Sequence, residues 1–172
     1  MAITLRPASL DDAPLLAAFG RMTFCAAFGR LYRKEDLNTF LNEVFSDGVV
    51  AGEIEGSETI HQLAWDADKL VSYCKLHAPS WYADHSDAAN PIALGQLYTD
   101  PARTSEGIGA KLMEWALVMA RDDDHDAIQL TVWSENHGAQ RFYQRYGFEH
   151  VADIDFYVGN HRDDEFLYEL RL

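Results

Sequence analysis

Two segments of the chain combine residue types that could bind an anionic ligand and react with it. The first spans residues 97–112 and contains Gly107-Ile108-Gly109 directly after a predicted strand. Because glycine has no Cβ, backbone N–H groups there can approach an anion closely, at the positive end of the following helix. No Gly-Lys-Ser/Thr follows as in a P-loop, and Leu112 replaces the third glycine of a dinucleotide fingerprint. The loop favours a phosphate or pyrophosphate ligand, although a plain helix start would look the same.

The second segment spans residues 132–148 and places a tyrosine hydroxyl on a short predicted helix. Asn136 follows a predicted strand, and Phe142 and Tyr143 lie on the apolar stripe of the helix after it. Gly147 stands where a left-handed helix cap is common. A tyrosine hydroxyl can donate a proton to a leaving group, whereas most tyrosines on such a stripe are simply core residues.

The rest of the sequence predicts the elements that must position these segments. Predicted strands cover residues 3–6, 59–65, 69–77, 92–98, 128–133 and 166–172, and predicted helices cover residues 9–19, 35–45, 107–121 and 137–146. Residues 80–91 are predicted to form a polar, irregular loop. Helices interspersed among strands indicate an α/β fold, an α+β sandwich around one mixed sheet. With 172 residues and neither repeat nor linker, we expect one domain over residues 1–172.

The composition limits the partners of the chain. There are 28 acidic and 14 basic side chains, which gives a formal charge of −14. Such a surface repels nucleic acid and anionic membranes and attracts cations, although solubility alone would also explain it. No apolar run approaches membrane-spanning length, so we expect a cytoplasmic protein. Cys25 and Cys74 have no CxxC spacing and the histidines form no HxxxH pair, so we expect reduced, buried thiols and no metal site.

Together, the two segments resemble the acetyl-CoA site of the GNAT superfamily of N-acetyltransferases. Thr104 to Gly109 is similar to the family's Q/R-x-x-G-x-G/A loop, and Asn136 with the A-x-x-F-Y-x-x-x-G-F pattern from Ala139 is similar to its second half. The order of the predicted elements is also that of the family. The resemblance implies a GNAT fold, a central mixed, mostly antiparallel sheet flanked by helices. It also implies an enzyme that transfers acetyl from acetyl-CoA to a primary amine by direct attack on the thioester.

The resemblance assigns roles to named residues. Backbone groups of Leu97, Tyr98 and Thr99 would pair with the pantetheine arm of acetyl-CoA, and the Tyr98 N–H would stabilise the oxyanion. Asn136 would hold the pantetheine amide, and Tyr143 would protonate the departing thiolate. The other implied cofactor-binding residues are Arg103, Thr104, Ser105, Glu106, Gly107, Ile108, Gly109, Ala110, Phe142 and Arg145.

Two positions depart from the family pattern. Thr104 replaces the usual Gln or Arg, which removes one donor to the pyrophosphate and leaves the adjacent Arg103 to compensate. Gly95 stands on the fourth strand where many relatives carry a glutamate implicated as the general base. The base is therefore open: His77, at the end of the third strand, is one candidate because histidine titrates near neutral pH, and bulk water is another.

The acceptor is predicted only by class. Residues 23–29 and 155–159 resemble bacterial spermidine/spermine N-acetyltransferases, which favours a polyamine or another small amine. Alternative acceptors are a protein or peptide amine, an amino acid and an aminoglycoside, and a non-catalytic acyl-CoA-binding sensor is the alternative from another class. A homodimer is expected only by analogy with the fold. The residues that could line a cation-binding cleft, or only be solvated, are Glu35, Asp36, Glu43, Asp84, Asp87, Tyr32, Trp81, Tyr82 and Tyr157.

Overall fold

Seven strands form one sheet in the computed structural model, which describes residues 2–172. They are β1 (Ile3–Pro7), β2 (Thr59–Asp66), β3 (Lys69–His77), β4 (Pro91–Thr99), β5 (Ala127–Trp133), β6 (Glu149–Val158) and β7 (His161–Arg171). Their order across the sheet is β1-β2-β3-β4-β5-β7-β6. Only β4 and β5 pair in parallel, while all other neighbours are antiparallel. The predicted α/β class and the mixed, mostly antiparallel sheet are confirmed.

Helices cover both faces of the sheet. They are α1 (Ala13–Phe28), α2 (Lys34–Val44), α3 (Asp47–Glu55), α4 (Ile108–Asp122) and α5 (His137–Arg145). The first three pack on one face, where Phe24, Phe40 and Phe45 form an aromatic cluster. The last two pack on the other face, where Leu112 and Met113 of α4 are fully buried. Burying each such side chain contributes about 1.5–3 kcal/mol, so both layers are anchored to the sheet.

The helix α1 is longer than predicted, since it continues past Phe19 to Phe28. Gly20 lies inside this helix. A Cβ at this position would come 2.5 Å from the Phe45 ring, so any side chain larger than that of glycine would clash with this ring. The extension carries residues 23–28 to the centre of the molecule.

Three further elements differ from the sequence prediction. The helix α3 was not predicted; Gly48 lies in its first turn, and Ser46 caps it by accepting the Val49 N–H at 3.3 Å. The strand β6 was not predicted, and β7 begins at His161 rather than Phe166. The two strands form a long hairpin whose turn at Gly159 packs against Asp36 of α2.

Candidate active site

The strands β4 and β5 separate after a short paired stretch. Residues 91–93 pair with residues 127–129, and beyond them no pairing continues. A β-bulge at Gly95 contributes to this divergence. Lys75 of β3 pairs with Gln96 of β4, and the next residue, Leu76, pairs with Leu94. Gly95 is therefore the extra, unpaired residue. Between the separated strands lies a cavity of about 440 Å³, here called the interstrand cavity.

The interstrand cavity brings together six of the residues predicted from sequence. They are Leu97, Tyr98, Thr99, Thr104, Asn136 and Tyr143. The cavity is also lined by residues from the extended end of α1 and from β6 and β7. Most of its large side chains are aromatic: Phe24, Phe28, Tyr32, Tyr98, Trp133, Tyr143 and Phe156. The segments 23–29 and 155–159, separated in sequence, thus both contribute residues to the cavity.

In β4, every second backbone N–H group points toward the cavity. The Asp100 N–H donates to the Val71 carbonyl at 2.9 Å, and the Ser72 hydroxyl donates to the Tyr98 carbonyl at 2.7 Å. Since backbone groups alternate in direction along a strand, the Tyr98 N–H also faces β3. This corrects the assignment of the oxyanion contact to Tyr98. The N–H groups of Leu97 and Thr99 are the ones that face the cavity.

The glycine loop forms the N-terminal end of α4, as its sequence predicts. Ser105 and Gly107 have positive φ values of 69° and 79°, and α4 begins at Ile108 and runs for 15 residues. The first-turn N–H groups of a helix have no intrahelical partner, so those of Gly109 and Ala110 are available to an anion. Ile108 itself is 1% exposed and therefore offers only its backbone.

The two arginines predicted to bind the cofactor do not line the interstrand cavity. The Arg103 guanidinium forms ion pairs with Asp66 at 3.1 Å and with Glu106 at 2.8 Å. A phosphate would therefore have to compete with two carboxylates for Arg103. The Arg145 guanidinium lies 5.7 Å from the centre of the Phe142 ring on the exposed side of α5.

Asn136 and Tyr143 present polar groups to the cavity from α5. The Asn136 side-chain oxygen accepts the Ala139 N–H at 3.2 Å and so caps the helix, which leaves its NH2 group as a donor. Burial, and then the neighbouring Cys74 thiol, raises the pKa of Tyr143, so its hydroxyl keeps its proton at neutral pH. Cys74 is fully buried as predicted, whereas Cys25 is only half-buried.

The position of the usual glutamate is filled by an indole ring. A Cβ on Gly95 would lie 3.1 Å from the Trp81 ring, and that ring stacks on His77 with centroids 4.2 Å apart. The His77 Nδ1 lies 2.9 Å from the Thr59 hydroxyl, and His77 does not line the interstrand cavity. The structure thus places this candidate base outside the cavity.

The acidic residues predicted to line an acceptor cleft lie elsewhere. Asp36 accepts the Asn160 N–H at 2.9 Å, and Asp87 pairs with Arg171. None of Glu35, Asp36, Glu43, Asp84 and Asp87 borders the interstrand cavity. Among the predicted aromatic residues, Tyr32 lines it, Tyr82 lies 3.5 Å from the Thr131 hydroxyl, and Tyr157 is 56% exposed.

One charged residue of the cavity was missed from sequence. Glu165 of β7 lines the interstrand cavity, and within residues 2–172 it is the only Asp, Glu, Lys, Arg or His that does so. Its Oε2 atom is buried without a hydrogen-bond partner. Burial raises the pKa of Glu165 to about 7. The sequence signal for Glu165 was weak, because it is one of two glutamates in a strand whose partners are distant in the chain.

Comparison with known proteins identifies the family. A family model described as Acetyltransferase (GNAT) domain matches residues 30–160, well over half of the chain. This chain belongs to the GNAT acetyltransferase family. A Lactobacillus delbrueckii subsp. lactis protein named "Uncharacterized N-acetyltransferase in pepI 3'region" is 26% identical over 159 residues, covering 92% of this chain and 91% of the relative. An Archaeoglobus fulgidus protein named "Uncharacterized N-acetyltransferase" is 31% identical over 114 residues, covering 64% and 68%.

Solved structures show the same fold. The Thermoplasma acidophilum PaiA N-acetyltransferase, in complex with coenzyme A, matches with a TM-score of 0.82 at 21% identity, and 100% of both chains is covered. Arabidopsis thaliana NAA60, in complex with a bisubstrate analogue, matches with a TM-score of 0.76 at 16% identity, covering 99% of this chain and 98% of that one. This GNAT chain is an acetyl-CoA-dependent N-acetyltransferase.

The residues present fit acetyl-CoA. The open edge of β4 offers the N–H groups of Leu97 and Thr99 to an extended amide-containing arm, and the start of α4 offers N–H groups to a pyrophosphate. Within residues 2–172, no group of three or more His, Cys, Asp or Glu side chains is arranged to hold a metal ion. No helix among those residues is long and apolar enough to cross a membrane.

Proposed function

We propose that this enzyme acetylates a primary amine of a small cationic acceptor, with polyamines as the first class to test. The observation that carries the proposal is the composition of the interstrand cavity: seven of its lining residues are aromatic, and Glu165 supplies its only charge among residues 2–172. An ammonium group would find cation–π contacts and a carboxylate there. A phosphorylated or carboxylated acceptor would be repelled.

The overall charge supports an acceptor with more than one positive charge. The formal net charge of −14 creates a field that raises the local concentration of polycations. Because the predicted acidic residues lie outside the cavity, their contribution would be this long-range attraction rather than direct contact. The short segments 23–29 and 155–159, which resemble spermidine/spermine N-acetyltransferases, both contribute to the cavity wall.

The roles of the remaining residues follow from their positions. Acetyl-CoA supplies an acyl thioester whose carbonyl carbon accepts the amine. The N–H of Leu97, rather than that of Tyr98, would stabilise negative charge on the carbonyl oxygen, an effect of about 3 kcal/mol per donor. Asn136 would donate its NH2 group to the pantetheine arm. Tyr143, which keeps its proton at neutral pH, would pass it to the departing sulfur.

The proposal is tested by measuring thiol release from acetyl-CoA with spermidine, spermine, amino acids, aminoglycosides and short peptides. We expect turnover with spermidine or spermine, and a KM for the amine that rises several-fold between 20 and 500 mM salt as screening weakens the attraction. Turnover on peptides alone would overturn the small-amine acceptor. Coenzyme A binding without turnover on any amine would overturn acetyl transfer to small amines as a whole and favour a sensor.

A further inference from the structure

The Glu165 carboxylate lacks the partners that a buried charge normally has. No Lys, Arg or His of residues 2–172 lines the interstrand cavity with it, and its Oε2 atom makes no hydrogen bond. Burying a carboxylate without a cation is costly, so such groups are usually paired or serve a function. Two other carboxylates with little exposure are paired, since Glu53 contacts Lys75 at 2.8 Å and Glu169 contacts Arg171 at 2.6 Å.

The groups facing Glu165 are neutral or acidic. Tyr98 of β4, Tyr32 after α1 and Tyr82 of the loop before β4 all lie within the electrostatic reach of its carboxylate. The Thr131 hydroxyl of β5 donates a hydrogen bond to the carboxylate, which leaves only its Oε2 atom without a partner, and Asp163 adds a second negative charge. Asp163 is itself engaged, because it accepts the Tyr32 hydroxyl at 2.5 Å and lies 3.1 Å from the His161 Nε2.

Glu165 also borders a second cavity on its outer side. That cavity is lined by further titratable groups, namely His85, Asp153, Asp155 and Asp164. The only basic side chain in that lining is His85. The Arg162 guanidinium neutralises two of the acidic groups, since it lies 2.6 Å from Asp155 and 2.7 Å from Asp164, but it lines neither cavity and so leaves Glu165 without a cation there. The missing partner would be supplied by a positively charged substrate.

We propose that Glu165 binds the ammonium group of the acceptor and acts as the general base of the acetyl transfer. The inference rests on the proposed function, since it requires a cationic amine in the interstrand cavity. It assigns the base to β7 instead of the β4 position that Gly95 occupies. The four neighbours Tyr32, Tyr82, Tyr98 and Thr131 would keep the carboxylate in place without neutralising it.

Glu165, Tyr143, the two substrates and water account for every proton and bond of the transfer. The ammonium gives one proton to the Glu165 carboxylate, and the nitrogen lone pair then bonds to the thioester carbonyl carbon. The carbon–sulfur bond breaks and its electron pair stays on sulfur, which takes the Tyr143 hydroxyl proton. The nitrogen loses its second proton to restore Tyr143, and Glu165 releases its proton to water. The products are the acetamide, free thiol and one proton.

The physical need for such a base is large. A free alkylamine with a lysine-like pKa of about 10.4 is neutral in fewer than about one molecule in a thousand at pH 7. A positioned base typically contributes about 10²–10⁴-fold to the rate. Burial raises the pKa of Glu165 to about 7, which brings the carboxylate closer to the amine in proton affinity while leaving it ionised above neutral pH.

The test compares Glu165→Gln with Glu169→Gln in the full chain, using the best amine of the panel from pH 6 to 10. Glu169 lies on the same strand outside both cavities, where its carboxylate accepts the Gln129 amide at 2.8 Å. We expect Glu165→Gln to lower kcat/KM for the amine at least about 100-fold at pH 7.5 while the KM for acetyl-CoA stays within about two-fold. Glu169→Gln should retain wild-type kcat/KM.

The pH profile separates a base from a structural residue. Wild-type kcat/KM should rise through about pH 7 to a plateau as Glu165 ionises, whereas the Glu165→Gln profile should rise about tenfold per pH unit toward the pKa of the amine. The variant should also melt at a higher temperature than wild type at pH 8, because it lacks an unpaired buried charge.

Three results would overturn the inference. A wild-type pH profile retained in Glu165→Gln, with full turnover, would remove Glu165 from the mechanism and leave the proposed function intact. A lower melting temperature with a proportionate loss of both kcat and acetyl-CoA binding would assign Glu165 a structural role. Absence of amine turnover in the wild type would overturn the proposed function and the inference together.

Discussion

A Cβ atom at Gly95 would lie 3.1 Å from the Trp81 indole, so the Trp81 ring fills the space that a side chain at position 95 would occupy. The Trp81 ring also stacks on His77, with ring centroids 4.2 Å apart. This contact leaves little room at position 95 for the glutamate that the family resemblance implies there. A carboxylate can reach the cavity from β7 instead, where Glu165 lines it.

Restoring a glutamate at position 95 should therefore damage the protein rather than improve it. We expect Gly95→Glu to lower the free energy of unfolding by about 1–3 kcal/mol, because the larger side chain must displace the Trp81 ring. The cost should fall by about 1 kcal/mol in a Trp81→Ala background, since the two residues compete for one space. Urea denaturation of the four proteins measures both values. Purely additive changes in the free energy of unfolding would contradict the competition for space. Gly48→Glu is the control, because nothing lies within 4 Å of a Cβ at Gly48.

The hydroxyl of Tyr143 should be required for turnover and dispensable for folding. Tyr143→Phe removes one oxygen at the wall of the interstrand cavity, so we expect kcat to fall about 10²-fold with coenzyme A affinity unchanged. Tyr146→Phe is the matched control, because Tyr146 directly follows α5, packs against the same core as Tyr143 and lies outside that cavity. Steady-state kinetics and calorimetric titration with coenzyme A give the two quantities. Equal kcat values for the two variants would remove Tyr143 from proton transfer.

The parts of the site that the sequence predicted are local. The glycine loop and the Asn136–Tyr143 segment each lie within one strand-loop-helix unit, so residue type and spacing alone indicate their positions. The same holds for β4 and α4, whose observed ends at Thr99 and Ile108 lie within one residue of the predicted ones.

The parts that the sequence did not predict depend on contacts between distant segments. Glu165 reaches the cavity because β7 pairs with β5, and no local pattern distinguishes it from Glu169. The role of Gly20 is visible only once the Phe45 ring is in place. The strand β6 is different: Ile154, Phe156 and Val158 occupy every second position, so its sequence does carry the period-two pattern of a strand.

Glu53 should be a large electrostatic contributor to stability on the face of the sheet opposite α4. Its carboxylate lies 2.8 Å from the Lys75 Nζ and 3.1 Å from the His61 Nε2, and the side chains of these partners are 8% and 2% exposed. Glu53→Gln leaves Lys75 buried without its anion, so we expect the free energy of unfolding at pH 7 to fall by about 2 kcal/mol. Asp155→Asn, which removes the exposed pair with Arg162, should change it by less than about 0.5 kcal/mol. Similar losses of unfolding free energy in the two variants would show that burial does not determine how much these ion pairs stabilise the protein.

The contribution of Glu53 should also disappear in acid. Burial acts to raise its pKa, but the His61 hydrogen bond and the Lys75 charge outweigh burial and hold the pKa of Glu53 below its ordinary value. A carboxyl whose pKa is lowered by folding stabilises the protein above its unfolded pKa of about 4.3 and loses that effect as the pH falls through the folded pKa. The difference between wild type and Glu53→Gln should therefore be constant from pH 6 to 8 and shrink below pH 4. A stability difference between the two proteins that grows below pH 4 would contradict a lowered pKa for Glu53 in the folded state.

The two glycines of the loop before α4 should respond differently to alanine. Gly107 has φ of +79° with no atom within 4 Å of a Cβ, so Gly107→Ala costs about 1 kcal/mol from backbone strain alone. Relief of that strain would re-aim the N–H groups at the start of α4, and we expect coenzyme A to bind at least several-fold more weakly.

A Cβ on Gly109 would meet the Thr99 hydroxyl at 3.9 Å and the Phe142 ring at 4.0 Å, which is ordinary contact. Gly109→Ala should therefore leave stability unchanged or slightly increased and coenzyme A affinity within about two-fold, since alanine favours a helix more than glycine. Urea denaturation and calorimetric titration compare the two variants, and a greater loss in Gly109→Ala would mean that space, not the left-handed conformation, limits this loop.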